Sequence, residues 1–309
     1  MADAYPLIAV VGPTGAGKSA LALHLAKAFD GEIVNCDSVQ VYRQMDIGSA
    51  KTPEAQRCGI VHHLFDVVYP GEELTAADYA RTAVETLRQI RLRGTLPIVA
   101  GGTGFYLRAL LDGLSPAPAR NERLRARLSD IAQRRPAALH RYLKQRNPAA
   151  AARIHGNDLQ KLIRAIELGD GVTAPRQALQ GFRVLKIGLN PERDQLYEKV
   201  NERTTWMFEN GLLAETKALL DAGISPSGKA LGTLGYRQAV KVLTAGLPVA
   251  EAMADCQVRT RQYAKRQMTW FRAQADIHWL NGFGDDVGVQ QEAGWLVRTF
   301  LSRSPEKPL

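Results

Sequence analysis

Leu7-Ile8-Ala9-Val10-Val11-Gly12-Pro13-Thr14-Gly15-Ala16-Gly17-Lys18-Ser19 is the stretch that decides the fold. Five apolar residues run without interruption into Gly12, as a strand buried on both faces does. Gly12 to Ser19 then fits the pattern G-x-x-x-x-G-K-[ST]. Lys18–Phe29 is apolar-rich, has no breaker and reads as a helix. A strand, a glycine-rich turn and a helix in that order make a phosphate-binding loop. The glycines let the backbone turn so that several N–H groups point at one set of oxygens. The helix N-terminus adds partial positive charge and Lys18 a full one. The Ser19 hydroxyl stands where a ligand to Mg²⁺ is expected. Gly12, Pro13, Thr14, Gly15, Ala16, Gly17, Lys18 and Ser19 are therefore the candidate diphosphate- or nucleotide-binding residues.

Outward from this loop, strand and helix continue to alternate. Glu32–Cys36 reads as a second strand, ending in Asn35-Cys36-Asp37-Ser38. Thr75 opens a long helix with Asp78 three residues on, as in a capping box, and Gly94 stops it. Leu96–Ala100 is a third strand, ended by Gly101-Gly102-Thr103. The rhythm predicts a P-loop α/β core: a parallel sheet with helices on both faces. In such a sheet the carboxyl ends of the strands form the ligand crevice. Asp37 and Thr103 should then face the same crevice as the P-loop. A carboxylate there could be a general base or the outer-shell partner of a metal, or simply a turn cap.

From Ser115-Pro116-Ala117-Pro118 onward the pattern changes to helices only, with caps expected at Asn121, Asn147 and Asp158. Leu124, Leu128 and Ile131 share one face, as do Leu159, Leu162, Ile163 and Ile166. Phe182–Leu189 alternates like a strand, and a new helix starts at Asn190-Pro191. The domains expected are a core of residues 1–114 and 190–309 and an all-helical insertion of 115–189. Net charge is +9, divided as −2 over residues 1–114, +10 over 115–190 and +1 over 191–309. A basic block confined to one segment is the footprint of a polyanion partner, with a solvated arginine-rich surface as the alternative.

Gly235-Tyr236-Arg237-Gln238 puts an arginine beside a flexible glycine, where it could clamp a phosphate through two parallel hydrogen bonds. Arg259, Tyr263, Arg266 and Trp270 share a helical face that suits either RNA or aromatic packing. His62-His63 has no ligand-spaced company and reads as structural. Cys36, Cys58 and Cys256 are neither paired nor spaced as metal ligands, so each reads as a small buried hydrophobe in a reducing, cytoplasmic setting. No apolar run approaches the ~20 residues that span a bilayer, and Leu7–Val11 is too short for a signal-peptide core.

These residues in this order resemble the tRNA dimethylallyltransferase (IPP transferase) family. The likeness rests on the P-loop, on Asp37-Ser38-Val39-Gln40-Val41-Tyr42-Arg43, on Met45-Asp46-Ile47-Gly48 and Ala76-Ala77-Asp78-Tyr79, and on Gly101-Gly102-Thr103-Gly104. It continues at Ala151-Ala152-Arg153-Ile154-His155, Asn157-Asp158, Gly235-Tyr236-Arg237-Gln238 and Ala264-Lys265-Arg266-Gln267 with Thr269-Trp270. The Asp-Ser-x-Gln-x-Tyr stretch is the most specific, since generic P-loop kinases do not carry it.

The resemblance implies transfer of a dimethylallyl group from dimethylallyl diphosphate to N6 of the adenosine next to the tRNA anticodon, with Mg²⁺ assisting and diphosphate leaving. It implies that Thr14 to Ser19 hold the diphosphate with Arg237, and that Asp37 takes the N6 proton with Thr103 as positioning partner. Asp37, Ser38, Val39 and Gln40 would line the site of the flipped-out adenine. Arg125, the stretch Gln160, Lys161, Leu162, Ile163 and Arg164, and the stretch Gly232, Thr233, Leu234, Gly235, Tyr236 and Arg237 would face the tRNA. The partners expected are tRNA and dimethylallyl diphosphate, with no membrane, and a monomer is expected. Phe105, Tyr106 and Leu107 are candidates, by position, for an apolar wall around the prenyl chain. A small-molecule or nucleotide kinase is the alternative, in which the P-loop would bind ATP as donor. On the prenyl-transfer reading ATP only competes through its phosphates.

Overall fold

The computed structural model describes residues 4–114, 120–169 and 177–302. The chain begins with β1 (Tyr5–Val11), α1 (Lys18–Ala28), β2 (Gly31–Asn35), β3 (His62–His63), α2 (Ala76–Arg93), β4 (Leu96–Ala100) and α3 (Gly104–Leu111). Four helices follow: α4 (Glu122–Arg134), α5 (Ala138–Arg146), α6 (Pro148–Arg153) and α7 (Leu159–Leu168). The chain then runs through β5 (Phe182–Leu189), α8 (Arg193–Glu209), α9 (Leu212–Asp221), α10 (Tyr236–Ala245), α11 (Val249–Arg272), β6 (Ile277–Leu280) and α12 (Val287–Ser302).

Every strand pairs in parallel, in the order β3-β2-β4-β1-β5-β6. The uninterrupted apolar run of β1 sits between β4 and β5, with Ile8 opposite Ile98 on one side and Leu185 on the other. Leu7, Ile8, Ala9 and Val10 are fully buried, as a central strand covered on both faces requires. Leu21, Leu25 and Ala26 of α1 pack on the sheet together with Val289, Ala293 and Val297 of α12. The expected capping box is present on α2. Thr75 Oγ1 accepts from Asp78 N–H, the Asp78 carboxylate accepts from Thr75 N–H, and Gly94 ends the helix at φ +79°.

Two compact units result: residues 1–111 with 179–309, and Asp112–Ala178. The second has its own small core of Leu128, Ala132, Leu139, Leu143, Ala151, Leu162 and Ile163. Its caps are those expected, with Asn121, Asn147 and Asp158 accepting from the N–H groups of Leu124, Ala150 and Lys161.

Three expectations need correction. The insertion does not reach residue 189, because Phe182–Leu189 forms β5, next to β1 in the core sheet. Its boundary therefore moves to 112–178, and its charge falls to +7, from 13 Lys/Arg against 6 Asp/Glu. Ile131 is 41 % exposed; Ala132 turns inward in its place. Cys36 and Cys256 are buried, but Cys58 is exposed at a positive-φ turn position. The Ser115–Pro118 boundary and the Gly171–Pro175 loop lie outside the described residues.

Candidate active site

The P-loop forms the wall of a cavity of about 600 Å³. Gly15 and Gly17 take positive φ of +86° and +82°, which only glycine adopts without strain. A Cβ at Gly17 would meet the backbone of Gly284 at 2.7 Å, so the loop after β6 closes directly on the P-loop. Gly17 provides no side-chain cap for α1, and the first-turn N–H groups therefore remain available to an anion. Lys18 Nζ donates to the Pro13 carbonyl at 2.7 Å. Desolvation lowers the Lys18 pKa to about 8, partly countered by Asp37 and reinforced by Arg203. Ser19 lines the same cavity.

β2 and β4 deliver their C-terminal residues to this edge, as the parallel sheet requires. Asp37 Oδ1 accepts from the Val39 N–H at 2.8 Å, which fixes the carboxylate orientation, and Asn35 Oδ1 accepts from the Asp37 N–H at 3.0 Å. Thr103 Oγ1 accepts from the Ser38 N–H at 3.0 Å and donates to Ser38 Oγ at 3.3 Å, stitching the two strand ends together. Gly101 is indispensable here, since a Cβ would lie 2.1 Å from the Cys36 carbonyl oxygen. Asp37 borders both the P-loop cavity and a second cavity of about 360 Å³, whose wall includes Ser38, Val39 and Tyr263. Burial, then Asp37, pushes the Tyr263 phenol up to about 12, so at neutral pH it stays a hydrogen-bond donor.

The other expected residues separate into those that line these cavities and those that do not. Gln40 lines the P-loop cavity, its Nε2 donating to the Ser49 and Ala50 carbonyls. Gly232, Thr233, Leu234, Gly235 and Arg237 line the second cavity. Tyr236 is fully buried instead, its hydroxyl donating to Glu215 Oε1 at 2.6 Å. Glu215 in turn accepts from the N–H groups of Asp46, Ile47 and Gly48, so Tyr236 supports that segment from behind. Arg237 borders the second cavity rather than the P-loop cavity. The arginine in both is Arg203, which donates to Thr14 Oγ1.

In the helical unit, Gln160 and Lys161 are exposed, Lys161 pairing with Asp158, while Leu162 and Ile163 are 1 % exposed and fill its core. Arg125 is mostly occupied internally: it pairs with Glu167 at 3.3 Å and donates to Gln160 Oε1 at 3.0 Å, and Arg164 pairs with the same glutamate at 2.6 Å. Phe105 is 48 % exposed, Tyr106 and Leu107 are buried, and none of the three borders either cavity. The apolar wall near Asp37 comes from Val39, Met207 and Leu234.

Arg203 and Gln267 were given no role by the sequence reading. Gln267 is buried on α11, its Oε1 accepting from Thr14 N–H and its Nε2 donating to the Gly102 carbonyl, both at 2.8 Å. A signal existed for each. Gln267 falls on the stripe Cys256, Thr260, Ala264, Phe271, and Arg203 interrupts the stripe Leu196, Val200, Met207. A polar residue in a buried stripe costs stability unless it is bonded, and so marks a site.

The donors around Ser19 suit a hard cation. Its hydroxyl and the Asp37 carboxylate border one cavity, and Mg²⁺ needs only one or two protein oxygens when phosphate and water complete its shell. Among the described residues no cluster of three or more His, Cys, Asp or Glu forms an all-protein metal cage.

Fold and site together define a P-loop α/β protein with a phosphate cradle and a carboxylate at the adjoining strand end. A model of the IPP transferase family matches residues 40–274, and an isopentenyl transferase model matches residues 5–65. The chain is 51 % identical over 302 residues to a tRNA dimethylallyltransferase of Koribacter versatilis, covering 95 % of this chain and 98 % of that one. It is 48 % identical to the tRNA dimethylallyltransferase of Solibacter usitatus, covering 96 % of this chain and all of that one. The crystal structure of the full-length tRNA isopentenylpyrophosphate transferase from Bacillus halodurans superposes with a TM-score of 0.72 at 35 % identity, covering 96 % of this chain and 95 % of that chain. A eukaryotic dimethylallyltransferase acting on tRNA superposes at 0.81 with 26 % identity, covering 98 % and 81 %. The chain belongs to the IPP transferase family.

Proposed function

We propose that the protein transfers the dimethylallyl group of dimethylallyl diphosphate to N6 of the adenosine adjacent to the anticodon in tRNA. The observation that carries this reading is the position of Asp37. Its carboxylate borders both the P-loop cavity and the second cavity beside it. The diphosphate would lie on the P-loop N–H groups with Lys18 and Arg203, the prenyl carbon toward Val39, Met207 and Leu234, and the adenine against the second cavity. The allylic C–O bond breaks as the C–N bond forms, and N6 gives up a proton. Lys18, Arg203 and the loop N–H groups stabilise the charge that develops on diphosphate, and Asp37 accepts the proton. Thr103 and the neutral Tyr263 phenol hold the edge of the site. Ser19 and, through water, Asp37 are the residues that would hold Mg²⁺, which when bound neutralises part of the diphosphate charge. The adenine must leave its stack to reach such a site, and the basic helical unit supplies cations for the tRNA backbone.

The kinase reading lacks support. Neither β4 with the Gly101-Gly102-Thr103 turn that follows it, nor β5, ending before Asn190, carries the acid that holds Mg²⁺ opposite a P-loop. No helix among the described residues is long and apolar enough to cross a membrane. Action in the cytoplasm as a monomer is part of the proposal.

The test uses Asp37→Ala. Single-turnover prenylation should fall about 10²-fold or more, while tRNA affinity stays within a few-fold. Near-normal turnover would remove Asp37 from the mechanism. Supplying each donor in turn separates the two reaction classes: dimethylallyl diphosphate should be consumed one-for-one with modified adenosine. Acceptor-dependent release of ADP from ATP would favour a kinase.

A further inference from the structure

Gln267 is 6 % exposed and spans two segments far apart in sequence. Its Oε1 accepts from the Thr14 N–H and its Nε2 donates to the Gly102 carbonyl, each at 2.8 Å. The first bond holds the P-loop. The second holds the turn after β4, whose next residue is Thr103. Gly102 is fitted to the amide, since a Cβ there would lie 2.4 Å from Nε2. We infer that Gln267 is a positioning residue that sets the distance between the diphosphate cradle and the Asp37–Thr103 pair.

The inference rests on the prenyl-transfer reading and adds to it a residue that touches neither reacting atom. In that reaction the electrophilic carbon is tethered to the P-loop through its diphosphate, and the N6 proton is directed at Asp37. The two reactants are thus held by different loops, and their separation depends on how those loops are fixed to each other. Reacting atoms must approach to about 3–3.5 Å, and an error of about 1 Å costs on the order of 10²-fold. Each substrate still has its own binding groups: Lys18 and Arg203 for the diphosphate, the helical unit's cations for tRNA. Loss of Gln267 should therefore appear in kcat and leave KM nearly unchanged.

The bonding also specifies a neutral amide, which accepts on one side and donates on the other. A carboxylate at this position would still accept from Thr14 but would face the Gly102 carbonyl with a lone pair. A carboxylic acid restores the donor. The ionisable groups beside the position are Tyr263, one turn earlier on the same helix and bonded to the amide, and Lys18 from α1; Asp37 and Arg266 act on Tyr263, and Asp37, Cys36 and Arg203 act on Lys18.

The experiment compares wild type, Gln267→Ala and Gln267→Glu, each checked for folding by circular dichroism and for tRNA binding. Steady-state prenylation is measured from pH 5.5 to 8.5. For Gln267→Ala, kcat should fall roughly 10²-fold, with KM for dimethylallyl diphosphate within about threefold and a ratio to wild type that does not vary with pH. For Gln267→Glu, activity relative to wild type should rise as pH falls, by up to about tenfold per pH unit above the pKa of the introduced carboxyl. A residue that only stabilises the fold gives no such low-pH recovery. An alanine variant with wild-type kcat, or a glutamate variant whose profile runs parallel to wild type, overturns the inference. A wild-type protein that makes no prenylated adenosine overturns the functional reading instead.

Discussion

Lys18 shows how one residue links burial, charge and ligand. Desolvation lowers its pKa from 10.5 to about 8. The unfolded chain therefore binds this proton between about pH 8 and 10.5 while the folded chain does not. Burying the charged amine opposes folding below pH 8, and that penalty shrinks as pH rises through the window. Diphosphate reverses the preference by favouring the ammonium form. Its affinity should fall as pH rises above about 8, and binding in that range should take up a proton. Titration calorimetry in two buffers of different ionisation enthalpy measures the uptake; none at pH 9 would show that Lys18 stays charged in the free protein. Gly101 is a second residue-level constraint. Its missing Cβ lets the β4 end lie against the Cys36 carbonyl, so Gly101→Ala should displace Thr103 and reduce turnover, which single-turnover kinetics can read.

At the scale of elements, the arginines of α4 have two different jobs despite their common type. Arg123 and Arg127 are exposed, whereas the Arg125 side chain is 16 % exposed and pairs with a Glu167 side chain that is 3 % exposed. Arg125→Ala should destabilise the helical unit by about 2 kcal/mol, less than a fully buried pair because Arg164 still serves Glu167. Chemical denaturation followed on that unit measures this, and an unchanged midpoint would place Arg125 with its exposed neighbours. The double change Arg123→Ala and Arg127→Ala should leave stability nearly unaltered and weaken tRNA binding. The 3.6-residue period made the helices and their caps legible in the sequence. It did not separate a solvent-facing arginine from one reaching across to a glutamate 42 positions later.

For the whole molecule the decisive quantity is the distribution of charge. The helical unit carries +7 of the chain's +9. If it neutralises tRNA phosphates, the logarithm of affinity falls linearly with the logarithm of salt, by about 0.7–0.9 per phosphate neutralised. Removing Arg123 and Arg127 together should flatten that line by up to about two such increments. Affinity for dimethylallyl diphosphate should not change. A slope identical to wild type would mean that these two arginines make no contact with phosphate.

Local chemistry determined what the sequence could declare by itself. The run Leu7–Ser19 specified a buried strand, a phosphate loop and a helix, because each depends on neighbours within a few residues. Asp37 was placed at the P-loop crevice because parallel strands must end on one edge; Thr103 ends at the same edge, bonded to Ser38, and lines neither cavity. Other assignments waited for the tertiary structure. The resemblance implied that Tyr236, Leu162 and Ile163 face the tRNA; all three are core, which the apolar stripe already indicated for Leu162 and Ile163 and only the packing decided for Tyr236. Phe182–Leu189 already alternates like a strand in the sequence, but its place in the core rather than in the insertion came from its pairing with β1. Arg203 and Gln267 reach Thr14 across 189 and 253 residues of chain: their places in apolar stripes set them apart, but the partner each one reaches is decided by how helices pack, not by what each helix is made of.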